Sequence, residues 1–314
     1  MNARSGLGRL LFILVITPGL SACLSAEEGS LPFDDRAEVP PLPESFREFR
    51  TGDMVIPPNT ESMLCYFLAP EPETLYARDL RDYQGASGHH VILFRTIQYV
   101  EPGTIRDCTE VEDMGNLIPI IAPVKFGLGQ FPDGMAIKVP EGAQLVIQQH
   151  VLNLRETEIV TNDALHLALL PQEDVEIQAG FLGLSAVDFE IAPHSTQTLE
   201  LDCEVPADMN ILTIGGHMHE SGMRYEALSG SLDNLSPLLQ VESWLPIFRD
   251  EPPVAEWPLE SPRIIQQGSI IRTICEFENT TDDALSFPEE MCATFGYYYP
   301  AIPGRETWLC DGRN

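Results

Sequence analysis

From residue 46 to the C-terminus the chain is written in short apolar runs separated by clusters of Gly, Pro, Asp and Asn. The clearest runs are residues 63–68, 91–94, 145–149, 165–170, 198–205, 211–214, 270–277 and 293–299. None extends into a helical period, and short apolar runs bounded by turn residues are read as strands. Many short strands with turns between them predict an all-β chain, built as two tandem antiparallel β-sandwich domains of jelly-roll type. The strand-rich texture breaks between residues 173 and 190, after Pro171-Gln172-Glu173-Asp174. That break divides an N-terminal domain, 46–175, from a C-terminal domain, 176–314.

The first residues read differently. Arg4 and Arg9 precede and open a short apolar stretch, residues 10–16, and Leu20-Ser21-Ala22-Cys23 follows. The stretch is too short to span a bilayer as a helix. With small residues before a cysteine it resembles a bacterial lipoprotein signal, residues 1–22, removed so that Cys23 carries the lipid. Leu24 after the cysteine resembles outer-membrane sorting in a Gram-negative cell. Residues 23–45, polar and proline-rich, form a tether. The expected location is extracytoplasmic, with the membrane reached only through the lipid anchor.

Charge narrows the partners. Against 18 Lys plus Arg stand 48 Asp plus Glu, a formal net charge of −30. Such a surface repels phosphate backbones and excludes nucleic acid as a partner. Of the seven cysteines, those beyond Cys23 are Cys65, Cys108, Cys203, Cys275, Cys292 and Cys310. An even number in an exported chain predicts three disulfides, with about fifteen pairings open. No C-x-x-C pair occurs, which argues against a structural zinc knot.

Candidate chemistry lies in the histidines. His217 and His219 follow the apolar run 211–214. The side-chain period of two turns both to one face of a strand, half of a metal site, and turns Met218 the other way into packing. His89 and His90 are adjacent, so their joint use requires a distorted backbone, for which Gly88 makes room. His150 ends Gln148-Gln149-His150 inside a strand-like run. His166, among apolar neighbours, and His194, in a turn, are not read as ligands. Met291 stands beside Cys292 and an aromatic strand, where its thioether is available as a soft ligand.

Taken in order, these motifs resemble the copper type II, ascorbate-dependent monooxygenases, the family of dopamine β-monooxygenase and peptidylglycine α-hydroxylating monooxygenase. They are His89-His90, His150 between Gln148 and Asn153, His217-Met218-His219 with Gly222, and Glu290-Met291-Cys292 ahead of Tyr298-Tyr299-Pro300, together spanning residues 50–310. The resemblance implies two coppers per chain. One, on His89, His90 and His150, would store and deliver electrons. The other, on His217, His219 and Met291, would bind O2 beside the substrate. It also implies the pairs Cys65–Cys108, Cys203–Cys310 and Cys275–Cys292. Ligand chemistry agrees independently: imidazoles suit copper in both oxidation states, and two imidazoles with a thioether favour Cu(I).

The expected function is hydroxylation of a C–H bond of a small organic substrate by O2, with an external one-electron reductant such as ascorbate. The same ligands would serve a non-catalytic copper-binding lipoprotein for storage, transfer or sensing, whereas a β-sandwich adhesion module with incidental histidines would hold no stoichiometric metal. Departures from the family bear on the substrate. Peptide-amidating members carry an arginine where this chain has Gly215, and an asparagine and a tyrosine where it has Ala293 and Phe295. The tyrosine that usually follows the single histidine is Val151. The anchor for a peptide carboxylate is therefore missing, and Trp244, Phe248 and Phe295 are candidate apolar walls.

Overall fold

Alternating apolar and polar positions are realised as strands in a computed structural model, which describes residues 31–108, 115–121, 131–304 and 306–311. The segment read as a lipoprotein signal, Cys23 and the first part of the expected tether lie outside the described residues. The chain is all-β, with short 3-10 turns as its described helical elements. Among the described residues no helix is long and apolar enough to cross a membrane.

A ten-stranded sheet draws strands from both halves of the chain. Its order is Val254–Glu256, Met209–His217, Cys292–Tyr299, Ile177–Ala186, Met135–Val139, Leu75–Tyr83, Ala164–Leu169 and Phe46–Arg50. Arg263–Ile265 and Thr307–Cys310 complete it as side pairings. Neighbours are antiparallel, except that Ile177–Ala186 runs parallel to Met135–Val139 and to Thr307–Cys310.

Two smaller antiparallel sheets pack on it. The five-stranded sheet runs Ile105–Asp107, Thr60–Pro70, Gln144–Asn153, Gly88–Thr96 and Leu117–Ile121. Its Val91, Leu93, Leu145 and Ile147 meet Leu80, Ile137, Leu165 and Leu167 in a first core. Burial of each such aliphatic side chain stabilises the fold by roughly 1.5–3 kcal/mol. The four-stranded sheet runs Ser195–Glu204, Ile270–Asn279, Gly222–Ser231 and Asn234–Val241. Its Tyr225, Ala227, Ile271 and Phe277 meet Leu182, Leu184, Ile211 and Ile214 in a second core.

The Cys292–Tyr299 strand serves both. Tyr297 and Tyr299 join the first core, while Cys292 and Tyr298 join the second. Because successive side chains alternate across a strand, the two cores lie on opposite faces of the shared sheet here. The disulfides are Cys65–Cys108, Cys203–Cys310 and Cys275–Cys292, the pairs implied by the resemblance. The last two staple the four-stranded sheet to the ten-stranded one.

Gly215 and Gly216 close the Met209–His217 strand without side chains for complementary reasons. A Cβ at 215 would stand 2.6 Å from the Phe295 ring, and one at 216 would stand 2.4 Å from the Tyr225 ring on the other face. Gly216→Ala therefore overpacks the second core and should cost about 1–3 kcal/mol, read as a lower urea midpoint. An unchanged midpoint would mean that the Tyr225 ring swings aside freely.

Candidate metal centre

His90 and His150 are direct cross-strand partners on Gly88–Thr96 and Gln144–Asn153. The register slips immediately after them: Val151 pairs with Gly88, which leaves His89 as the extra residue of a bulge. A bulge turns its residue out of the up-and-down alternation, and this lets two adjacent histidines serve one site. The His150 ring centroid lies 5.0 Å from that of His89 and 4.9 Å from that of His90. Their Nδ1 atoms face a common acceptor. The Oδ1 of Asp250 is 3.0 Å from His89 Nδ1, 3.1 Å from His90 Nδ1 and 3.7 Å from His150 Nδ1.

The tautomer of neutral His150 is set from behind. Its Nε2 is 2.7 Å from Glu61 Oε1. An ionised carboxylate only accepts, so Nε2 carries the hydrogen and Nδ1 keeps the lone pair. That lone pair faces His90 Nδ1 at 3.4 Å. Burial lowers the pKa of His90 against the pull of Asp250, and the neutral ring is the ligand form. Burial alone would raise the Asp250 carboxyl, but the His150 and His90 rings against it hold it well below the usual carboxylate range. One ligand atom from each of the four residues lies within 4.8 Å of every other. Three imidazoles and a carboxylate, one imidazole presenting a bare nitrogen, fit a transition-metal ion.

The second cluster stands at the end of the strand pair Met209–His217 and Cys292–Tyr299. His217 pairs with Ala293 and Gly215 with Phe295, on the face of Tyr297, and Phe295 packs against the first core. The ladder ends at the His217–Ala293 pair, so His219 and Met291 lie just beyond it, one residue or two past the ends of their strands. The His217 and His219 rings are edge-on with centroids 5.1 Å apart. His219 Nδ1 lies 2.8 Å from the Glu289 carbonyl oxygen. A carbonyl also only accepts, so Nδ1 carries the hydrogen and Nε2 the lone pair of the neutral ring. Neutral His150 and neutral His219 thus hold opposite tautomers.

Glu290 joins the two segments that carry His219 and Met291. Its buried carboxylate accepts the backbone N–H groups of His219 at 2.5 Å, Met291 at 2.9 Å and Ser221 at 3.1 Å. Burial outweighs these three donors and pushes its pKa up to about 7. Burial, followed by the nearby His219 and His90, lowers the pKa of His217 well below its ordinary value. Burial likewise lowers that of His219. His90 is therefore within electrostatic reach of His217, which makes the clusters neighbours. Arg249 spans them, with Nη1 2.6 Å from Glu220 Oε1 and Nη2 3.3 Å from Glu61 Oε1.

Neither a family model nor a curated protein matches this chain. Solved structures with some likeness include T=1 particles derived from infectious bursal virus, at 8% identity over 86% of this chain and 72% of that one, with a TM-score of 0.22. Another is the CUB1-EGF-CUB2 segment of rat MASP-1, at 11% identity over 81% of this chain and 97% of that one, with a TM-score of 0.18. Scores this low carry no argument about function.

The remaining candidates separate cleanly. His166 is fully buried, 3.1 Å from Glu48 and edge-on to Tyr83. His194 is exposed beside Asp282. Met218 is fully buried in the second core. Trp244 belongs to that core and Phe248 packs against it, their rings T-shaped at 5.4 Å. They are packing aromatics rather than cleft walls, whereas Phe295 shares a face with His217. Asp250, Glu61 and Arg249 were not anticipated. Asp250 stands 160 positions from His90, in a loop whose sequence follows no strand period.

The clamp is testable. Glu290→Gln replaces one acceptor oxygen by an NH2 that faces backbone donors, which should cost about 1–3 kcal/mol. A melting temperature equal to that of the parent would show that the carboxylate is not the clamp.

Proposed function

We propose that this chain is a copper-dependent monooxygenase that hydroxylates a C–H bond of a small organic substrate with O2 and an external one-electron reductant such as ascorbate. The reading joins the motif resemblance to one observation. Histidines remote in sequence meet in two neighbouring clusters of unlike donors, each with an imidazole tautomer set by an acceptor behind it. Copper bound at the two sites would supply one-electron redox chemistry at His89, His90 and His150 and dioxygen chemistry at the softer His217, His219 and Met291 set.

The chain's own residues prepare the sites. Glu61 orients His150 and the Glu289 carbonyl orients His219, so little reorganisation is left for binding. Glu290 holds the His219 turn to Met291. The lowered pKa values of His90, His217 and His219 keep protons from competing for ligand nitrogens at neutral pH. Beside His217, the pairs His217–Ala293 and Gly215–Phe295 carry no cation of their own, and the nearby Arg249 is taken up by Glu220 and Glu61. Together with a net charge of −30, this favours a neutral or cationic substrate over a carboxylate such as peptidylglycine. Three disulfides agree with an oxidising compartment, and we assign the chain to the outer membrane through a lipid on Cys23.

Protein purified without chelator should carry two coppers and show reductant-dependent O2 uptake. Met291→Ile should abolish that uptake while the His89, His90 and His150 copper stays bound, as measured by metal analysis and an oxygen electrode. Copper-free protein, or normal uptake by the variant, overturns the assignment.

A further inference from the structure

We propose that Asp250 is a fourth ligand of the His89, His90 and His150 site, which is then three imidazoles and one carboxylate. The inference rests on the copper reading above and adds a ligand that the motif resemblance does not contain.

Distances carry it first. Four ligands at roughly 2.0 Å around a tetrahedral ion stand about 3.3 Å from one another. Asp250 Oδ1 lies 3.0, 3.1 and 3.7 Å from the three Nδ1 atoms, and His90 Nδ1 lies 3.4 Å from His150 Nδ1. These four separations are close to the edges of such a coordination polyhedron, and one ligand atom from each of the four residues lies within 4.8 Å of every other.

Convergence carries it second. Glu61 takes up His150 Nε2 at 2.7 Å, so the nitrogen that His150 turns to the cluster is Nδ1, which lies toward both Asp250 Oδ1 and His90 Nδ1. The Nδ1 atoms of all three histidines thus converge on one carboxylate oxygen, and a cation shared among them would satisfy all four.

The backbone delivers Asp250 rigidly. It caps the 3-10 turn Pro246–Arg249, its N–H donating to the Ile247 carbonyl at 3.1 Å. Trp244 N–H donates to the Met223 carbonyl at 2.7 Å, and Gly216 N–H donates to the Pro253 carbonyl at 3.3 Å, so both ends of the segment are tied to the strands that flank His217. Arg249 pins the segment between Glu61 and Glu220. A metal on all four residues would cross-link the Gly88–Thr96 and Gln144–Asn153 strands to this segment. An anionic oxygen favours Cu(II) over Cu(I), so Asp250 makes this centre the more reducing of the two.

The test uses the full chain carrying His217→Ala and His219→Ala, which leaves this site as the copper signal. Asp250→Asn and Asp250→Ala are compared with that parent by Cu(II) and Cu(I) chelator competition and by EPR. Melting of the metal-free proteins checks that each is folded. Loss of Cu(II) affinity by about tenfold or more with Cu(I) affinity nearly unchanged is expected, a rise in potential of about 59 mV per tenfold. A changed Cu(II) EPR spectrum should accompany it. If both variants keep the parent's spectrum and affinity ratio, Asp250 is only a hydrogen-bonding neighbour and the inference falls while the copper reading stands. If the parent takes up no copper while the unsubstituted chain takes up one, the three-histidine site itself fails and Asp250 with it. If neither takes up copper, the functional reading falls first.

Discussion

The register between Met209–His217 and Cys292–Tyr299 is the constraint on which the second cluster depends. One residue of slip would move every side chain of a strand to its other face. Here both faces are committed, with Tyr297 and Tyr299 in one core and Cys292 and Tyr298 in the other. A slip would drive aromatic residues out of both cores at once. Gly296 tightens the constraint, because a Cβ there would stand 2.0 Å from the Thr213 carbonyl oxygen. The Cys275–Cys292 disulfide anchors the start of the strand, next to Met291. The pairing of His217 with Ala293, just ahead of His219 and Met291, follows from packing far more than from any attraction between the cluster residues themselves.

The histidine trio depends on a different local device. A regular ladder would leave His89 on the face opposite His90, and the bulge removes that obstacle at the position where Val151 pairs with Gly88. Around both clusters the chain spends carboxylates sparingly for so acidic a protein. Glu61, Glu220 and Asp250 share one cation, Arg249, and Glu290 is met by backbone amides. Buried anions without such partners would cost several kcal/mol each, on the order of the net stability of a domain.

Much of this was legible in the sequence because strand period and ligand spacing are local. The apolar runs gave the strands, the H-x-H pattern put His217 and His219 together, and Gly88 signalled the distortion that His89-His90 requires. Pairing between distant strands was not legible. Nothing in residues 135–139 or 177–186 announces that they run side by side in parallel, because that contact is decided by which sheet buries both faces best. Asp250, Glu61 and Arg249 were missed for a related reason. An exposed-looking acid in a chain with 48 of them carries no local mark, and its meaning comes only from the fold that brings it to His90. Trp244 and Phe248 were open between two readings, core and cleft wall, since an aromatic residue that fills a core and one that lines a cleft are written alike; the fold places them with the second core.

Under the proposed function, the Gly215–Phe295 pair would write substrate preference into packing. These two positions, where peptide-amidating enzymes of the resembled family hold an arginine and a tyrosine, face each other directly across the strand pair. The Phe295 ring occupies the space that even a methyl group at 215 would need. An arginine could not be introduced at 215 without first moving that ring, and removing the ring would open a hole against the first core, to which Phe295 contributes. The two departures are therefore one structural choice. An apolar pair supports the core beside His217 and leaves no room for a cationic side chain at 215, so under the proposed function stability and substrate preference would be coupled here.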